Sequence, residues 1–143
     1  MTKRPGRFLL AVILATAGCG VFTEPLPRHV ALLAEDPPVV TIPDTVSAGM
    51  EFEVSFTTLY LGYCQRPGPT EVEIVDLVAR ITPFTLSLTP KGRACPDAAH
   101  EIRRAAKVKF DRPGLARVLL RGLTNSDSAT TLEFDVVVRA TNT

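Results

Sequence analysis

Alternation of apolar and polar positions with a period of two runs through the chain from Val39 onward. Phe52, Val54 and Phe56 alternate with Glu53 and Ser55, Val72 and Ile74 with Glu71 and Glu73, and Phe84, Leu86 and Leu88 with Thr85 and Ser87. Val108 and Phe110 flank Lys109, and Val118 and Leu120 alternate with Arg117, Leu119 and Arg121. The clearest run sets Leu132, Phe134, Val136 and Val138 against Glu133, Asp135, Val137 and Arg139. Successive side chains of a strand point to opposite faces, so each run predicts a half-buried strand. Adding Val39–Ile42 gives about seven strands. Turn signals such as Ser47-Ala48-Gly49 and Asp111-Arg112-Pro113-Gly114 separate the runs, and no long amphipathic helix is visible. Short strands at roughly regular spacing predict an all-β fold, a single antiparallel sandwich over residues 38–141.

The first residues follow a different logic. Lys3, Arg4 and Arg7 precede an apolar run from Phe8 to Ala15, and small residues lead into Cys19. A spanning helix needs about 20 apolar residues, and the stretch from Phe8 to Gly18 is roughly half of that. The segment reads as a cleaved signal peptide over residues 1–18. Thr16-Ala17-Gly18-Cys19 resembles the signal of a bacterial lipoprotein, although Thr16 stands where leucine is commonest. The resemblance implies that Cys19 becomes the first mature residue, carrying a diacylglyceryl thioether and an acyl chain on its new amino terminus. Membrane attachment through lipid on Cys19 and residence in the cell envelope follow from it. Gly20 stands where an aspartate would, by resemblance to enteric bacteria, signal retention in the inner membrane, which implies the outer membrane in an organism with two. The alternatives are ordinary signal peptidase cleavage near the same alanines, or a buried cysteine in an uncleaved segment.

Residues 19–37 carry Pro25, Pro27 and Pro37, with Pro38 following, among mixed polar positions and read as a tether. As a flexible chain of about 19 residues it reaches roughly 25 Å. Val30-Ala31-Leu32-Leu33-Ala34 interrupts it. This run predicts either a short helical turn docked on the domain or a partner contact. The domain itself resembles an immunoglobulin-like or fibronectin-like module. It has no tryptophan and its cysteines fall between runs, which sets it apart from the antibody-type pattern.

Removal of residues 1–18 leaves 13 of the 16 basic residues against all 15 acidic ones, a net charge of about −2. That balance supplies no electrostatic footprint for nucleic acid. Cys64 and Cys95 remain after export, and in an oxidising compartment an even count predicts their disulfide. If successive strands alternate in direction, the loops 62–69, 90–99 and 122–129 fall at one pole, so the two cysteines can meet. Loops held at one pole by a rigid scaffold are where recognition is built. An envelope protein or a glycan is the expected partner class.

Candidate chemistry is sparse. Cys95 and His100 have a Cys-x4-His spacing that resembles part of a blue-copper site, but such a site wants a second histidine and usually a methionine. The other histidine is His29, in the predicted tether, and the methionine is Met50, beside a turn. Neither histidine has a serine or cysteine companion for a nucleophilic pair. Glu71, Glu73 and Asp76 are carboxylates with glycosidase potential, yet Glu71 and Glu73 alternate with Val72 and Ile74 as a solvated face does. Asn125, Ser126 and Asp127 fall short of the 6–8 oxygens that calcium takes and read as a turn. The expectation is therefore a binding or structural module with no enzyme activity, no cofactor and no metal; the alternatives are a small envelope enzyme or metal carrier whose site is too scattered to see in sequence, or an accessory subunit of an envelope complex. Arg103, Arg104, Lys107 and Lys109 form the one basic concentration, with Arg103, Lys107 and Lys109 on a common face. Either a solvated strand face or a contact with anionic polymer suits them. Tyr60 and Tyr63 offer large rigid surfaces with polar tips and are candidates for exposed contacts, with edge packing as the alternative.

Overall fold

A computed structural model describes residues 25–34, 40–88, 94–96 and 98–141. The described residues are all-β. Nine strands make one mixed sheet curled into a half-barrel. In chain order they are β1 (Arg28–Val30), β2 (Leu32–Leu33), β3 (Thr45–Ser47), β4 (Glu51–Leu61), β5 (Gln65–Val75), β6 (Val78–Ser87), β7 (Ala99–Lys109), β8 (Gly114–Leu123) and β9 (Ala129–Arg139). The predicted signal peptide, Cys19 and residues 20–24 and 35–37 of the predicted tether lie outside the described residues.

Two ribbons face each other. In one, β4 and β7 pair antiparallel along their whole length, from Glu51 opposite Lys109 to Leu61 opposite Ala99. In the other, β5, β6, β8, β9 and β3 lie side by side. The expected all-antiparallel arrangement is corrected at three places, because β6 and β8, β2 and β8, and β3 and β9 run parallel. A parallel neighbour requires a crossover. Here the chain leaves β6, passes through β7 in the facing ribbon and returns as β8.

The largest departure from expectation concerns Val30–Ala34. This run forms neither a helical turn nor part of a tether. Arg28–Val30 pairs with the second half of β6, and Leu32–Leu33 pairs with both β8 and β4. The short β2 thus joins the two ribbons by hydrogen bonds. Ala31, Leu32, Leu33 and Ala34 are all buried, and Leu33 belongs to the main core. Gly122 in β8 makes room for it, since a Cβ there would collide with the Leu33 side chain. The predicted strand Val39–Ile42 is reduced to a single bridge between Thr41 and Ser55, and Val39 is outside the described residues.

The core lies between the ribbons. Val54 and Phe56 of β4 and Ala106 and Val108 of β7 face Ala79 and Ile81 of β6, Ala116, Val118 and Leu120 of β8, and Val136 and Val138 of β9. Each fully buried aliphatic or aromatic side chain contributes about 1.5–3 kcal/mol from apolar area removed from water. The outward positions of the same strands are the polar partners read from the sequence, as alternation requires.

Candidate functional site

Successive strands alternate in direction even where neighbours are parallel, so the ends of β4, β6 and β8 and the starts of β5, β7 and β9 share one pole. Cys64 and Cys95 meet there, with Cα atoms 5.7 Å apart and the sulfurs bonded. That separation is ordinary for a disulfide. The bond closes a loop of 31 residues. Gly62 donates its N–H to the Ala98 carbonyl at 2.6 Å, and Leu88 donates to the Cys64 carbonyl at 2.6 Å. Backbone bonds therefore bind the β4–β5 and β6–β7 connections to each other around the disulfide.

An aromatic stack stands beside it. His100 lies between Tyr60 and Tyr63, with ring centroids 5.8 Å and 6.0 Å away. The two tyrosines, paired as contact candidates in the sequence, part here. Tyr60 is 0% exposed, which corrects its reading as a surface contact, while Tyr63 is 71% exposed. Register explains the split: Tyr60 shares the inward parity of Val54 and Phe56, whereas Tyr63 follows the turn at Gly62. At Gly62 the backbone takes φ 85°, a left-handed conformation that glycine adopts without a Cβ penalty.

Tyr60 leads into a polar network inside the half-barrel. The Thr58 hydroxyl lies 3.1 Å from the Tyr60 oxygen and 3.4 Å from the Ile102 carbonyl, in reach to donate to either. Arg104 Nη1 donates to the Phe84 carbonyl at 2.8 Å and to the Tyr60 oxygen at 3.4 Å. Its Nη2 donates to the Gly68 carbonyl at 2.7 Å and to Thr70 Oγ1 at 2.6 Å. Arg104 thus reaches from β7 across the open side of the half-barrel to β5 and β6. The register of β5 against β6 shifts between Pro67 and Thr70, and a Cβ on Gly68 would sit 2.9 Å from the Phe84 oxygen. A planar guanidinium with forked donors suits two converging carbonyls. The parity that aligns Arg104 with Ala106 and Val108 was the sequence signal for this inward role, hidden by the neighbouring cations.

Those neighbours point outward. Arg103, Lys107 and Lys109 share the exposed face of β7, and the register places Glu53 opposite Lys107 and Glu51 opposite Lys109. Lys107 Nζ pairs with Glu51 Oε1 at 2.9 Å. The hydrogen bond that Lys107 donates to Glu51, with the charges of Glu51 and Glu53, raises the Lys107 pKa above the ordinary lysine value. Lys109 pairs with Asp111 at 3.1 Å. Carboxylates interleave the row, so it presents no unbroken positive field.

The remaining candidates separate in space. Glu71 pairs with Arg28 at 2.7 Å and Glu73 with Arg80 at 3.5 Å on the outward face of β5. Asp76 sits at the tip of the β5–β6 hairpin with φ 59°, paired with Arg112. Asp127 closes a turn whose N–H bonds to the Thr124 carbonyl at 2.9 Å. The Cys95 sulfur is committed to Cys64, and a thiolate ligand is what a blue-copper site demands.

Comparison with family models, with curated proteins and with solved structures gives no match. A groove of about 410 Å³ opens near the disulfide pole, lined by His29, Val30, Leu59, Leu61, Gln65 and Leu123 among others. It lies where β1 and β2 enter the sheet, and Thr85, opposite His29 in the β1–β6 register, and Asp127 also line it. The groove offers apolar contact from Val30 and its leucines beside the imidazole of His29.

Proposed function

We propose that this chain is a lipid-anchored cell-envelope protein whose single β-domain acts by binding or as structure, not by catalysis. The lipobox-like order Thr16-Ala17-Gly18-Cys19 after a basic and apolar leader carries the reading. The bonded Cys64 and Cys95 support it, since stable disulfides belong to oxidising compartments beyond the cytoplasm. The finer fold, an immunoglobulin-like or fibronectin-like sandwich, is supported by two facing ribbons with one core between them. The parallel pairing of β6 with β8 makes it a variant of that plan.

The placement of side chains supports binding over chemistry. Among the described residues Tyr63 is the one strongly exposed aromatic, at a pole held by a disulfide and backbone bonds, whereas Glu71 and Glu73 sit in separate surface ion pairs. Tyrosine presents a flat apolar body with a polar tip, which suits contact, and an envelope protein or a glycan is the proposed partner class of the domain. Fractionation of cells expressing the full chain and its Cys19→Ala variant tests the anchor. The unchanged chain is expected in the membrane fraction, and the variant is expected to lose its lipid and leave that fraction. Equal partitioning of the two would overturn the reading.

A further inference from the structure

We infer that the disulfide pole is seated on the interfacial region of the membrane, so that the domain stands upright on its own anchor. This rests on the lipid anchor proposed at Cys19. The first step is a matter of reach. The described chain enters at the disulfide pole, where Ser87 donates to the Pro27 carbonyl at 3.0 Å and Arg28 stands opposite Leu86. From Cys19 to Pro25 a fully extended chain spans about 20 Å. An eleven-residue strand such as β4 spans roughly 35 Å from that pole to the other. With Cys19 at the bilayer, the far pole cannot be turned down onto the surface; the disulfide pole is the end held near it.

The second observation is what that pole exposes. Leu26 is 39% exposed, Leu61 51%, Tyr63 71% and Leu88 36%. All four sit where the chain arrives from the anchor: Leu26 just before β1, Leu61 at the end of β4, Tyr63 beside the disulfide and Leu88 bonded to the Cys64 carbonyl. Stacking on His100 fixes the Tyr63 ring. An amphipathic ring rooted on a rigid frame, with leucines around it, suits the boundary between headgroups and acyl chains. Buried apolar area adds to the hold of the acyl groups. The opposite pole also exposes apolar residues, Met50, Val75 and Leu115, but they are out of reach and lie among the pairs Arg112–Asp76, Lys109–Asp111 and Lys107–Glu51.

The chain contains no tryptophan, so a single one reports its own surroundings. The full chain, processed in cells and carrying Tyr63→Trp or Leu115→Trp, is reconstituted into phosphatidylcholine vesicles whose acyl chains are brominated near the glycerol. The expected result is flotation of both variants with the vesicles, a blue-shifted emission that loses most of its intensity to bromine for Tyr63→Trp, and unquenched emission for Leu115→Trp. Flotation with no quenching of Tyr63→Trp would overturn the seated pole while leaving the anchor intact. Blue-shifted but unquenched emission would do the same and point to a second copy or another protein covering the pole. Failure of both variants to float would remove the anchor and, with it, this inference.

Discussion

Replacing Arg104 by alanine separates an interior clasp from a surface charge more sharply than any other single change. The guanidinium is partly buried and donates to two backbone carbonyls, Phe84 at 2.8 Å and Gly68 at 2.7 Å, and to Thr70 Oγ1 at 2.6 Å. Hydrogen bonds from a charged donor contribute about 1.5–3 kcal/mol each in favourable cases, and an acceptor left unsatisfied costs about 1–3 kcal/mol. The guanidinium regains hydration when the protein unfolds, which offsets part of that sum. The net expectation for Arg104→Ala is a loss of about 2–4 kcal/mol, a large share of the 5–15 kcal/mol typical of a domain. With a urea dependence of about 1–3 kcal/mol per molar, the unfolding midpoint falls by roughly 1–2 M. Arg104→Lys keeps the charge but not the fork, and is expected to lose about half as much. Arg103→Ala, one residue away on the exposed face, is expected to stay within about 0.5 kcal/mol. Urea unfolding of the four proteins, followed by far-ultraviolet circular dichroism with the disulfide intact, gives the comparison. Equal midpoints for Arg103→Ala and Arg104→Ala would refute the clasp.

Three further outcomes follow from the packing and charges. Cys64→Ala with Cys95→Ala is expected to cost roughly 3.5–4 kcal/mol by chain entropy for the 31-residue separation, read as a lower urea midpoint matched by reduction of the parent protein. Leu33→Ala is expected to cost about 2–5 kcal/mol, as removal of a core side chain does, and Gly122→Val is expected to destabilise because its side chain meets Leu33; thermal unfolding measures both. Lys107 carries a raised pKa, so its contribution is present below the unfolded lysine value and is lost as pH rises through the folded one. Glu51→Gln is expected to lower that pKa, visible in an NMR titration of the lysine side chains, and no change would show that the pair with Glu51 does not form in solution.

The strands with one polar and one apolar face were legible in the sequence because alternation is a local signal. Leu132–Val138 and Phe52–Phe56 stand within β9 and β4, as their spacing indicates. Strand β7 was only partly legible, since Arg104 occupies an inward position and interrupts the apolar parity that Ala106 and Val108 continue. In β5, Pro67, Gly68 and Pro69 carry turn chemistry, yet they lie in an edge strand, where a missing donor is tolerated. Parallel pairing of β6 with β8 depends on which ribbon β7 joins, a long-range choice that no local period encodes. Proline spacing concealed the role of Ala31–Ala34, although four small or aliphatic residues in a row are what a strand buried on both sides requires. The meeting of Cys64 and Cys95 was legible from strand parity, which needs successive strands to alternate in direction and is indifferent to whether neighbours are antiparallel. Tyr60 and Tyr63 could not be told apart until the turn at Gly62 fixed their parity.

Intact mass of the protein extracted from its native membrane, taken before and after reduction, tests the lipid-anchored, disulfide-held domain most directly. The account predicts the mass of residues 19–143 plus a diacylglyceryl and an acyl group, rising by two hydrogens when the Cys64–Cys95 bond is reduced. A mass without lipid, unchanged by reduction, would contradict both the membrane address and the oxidised pole.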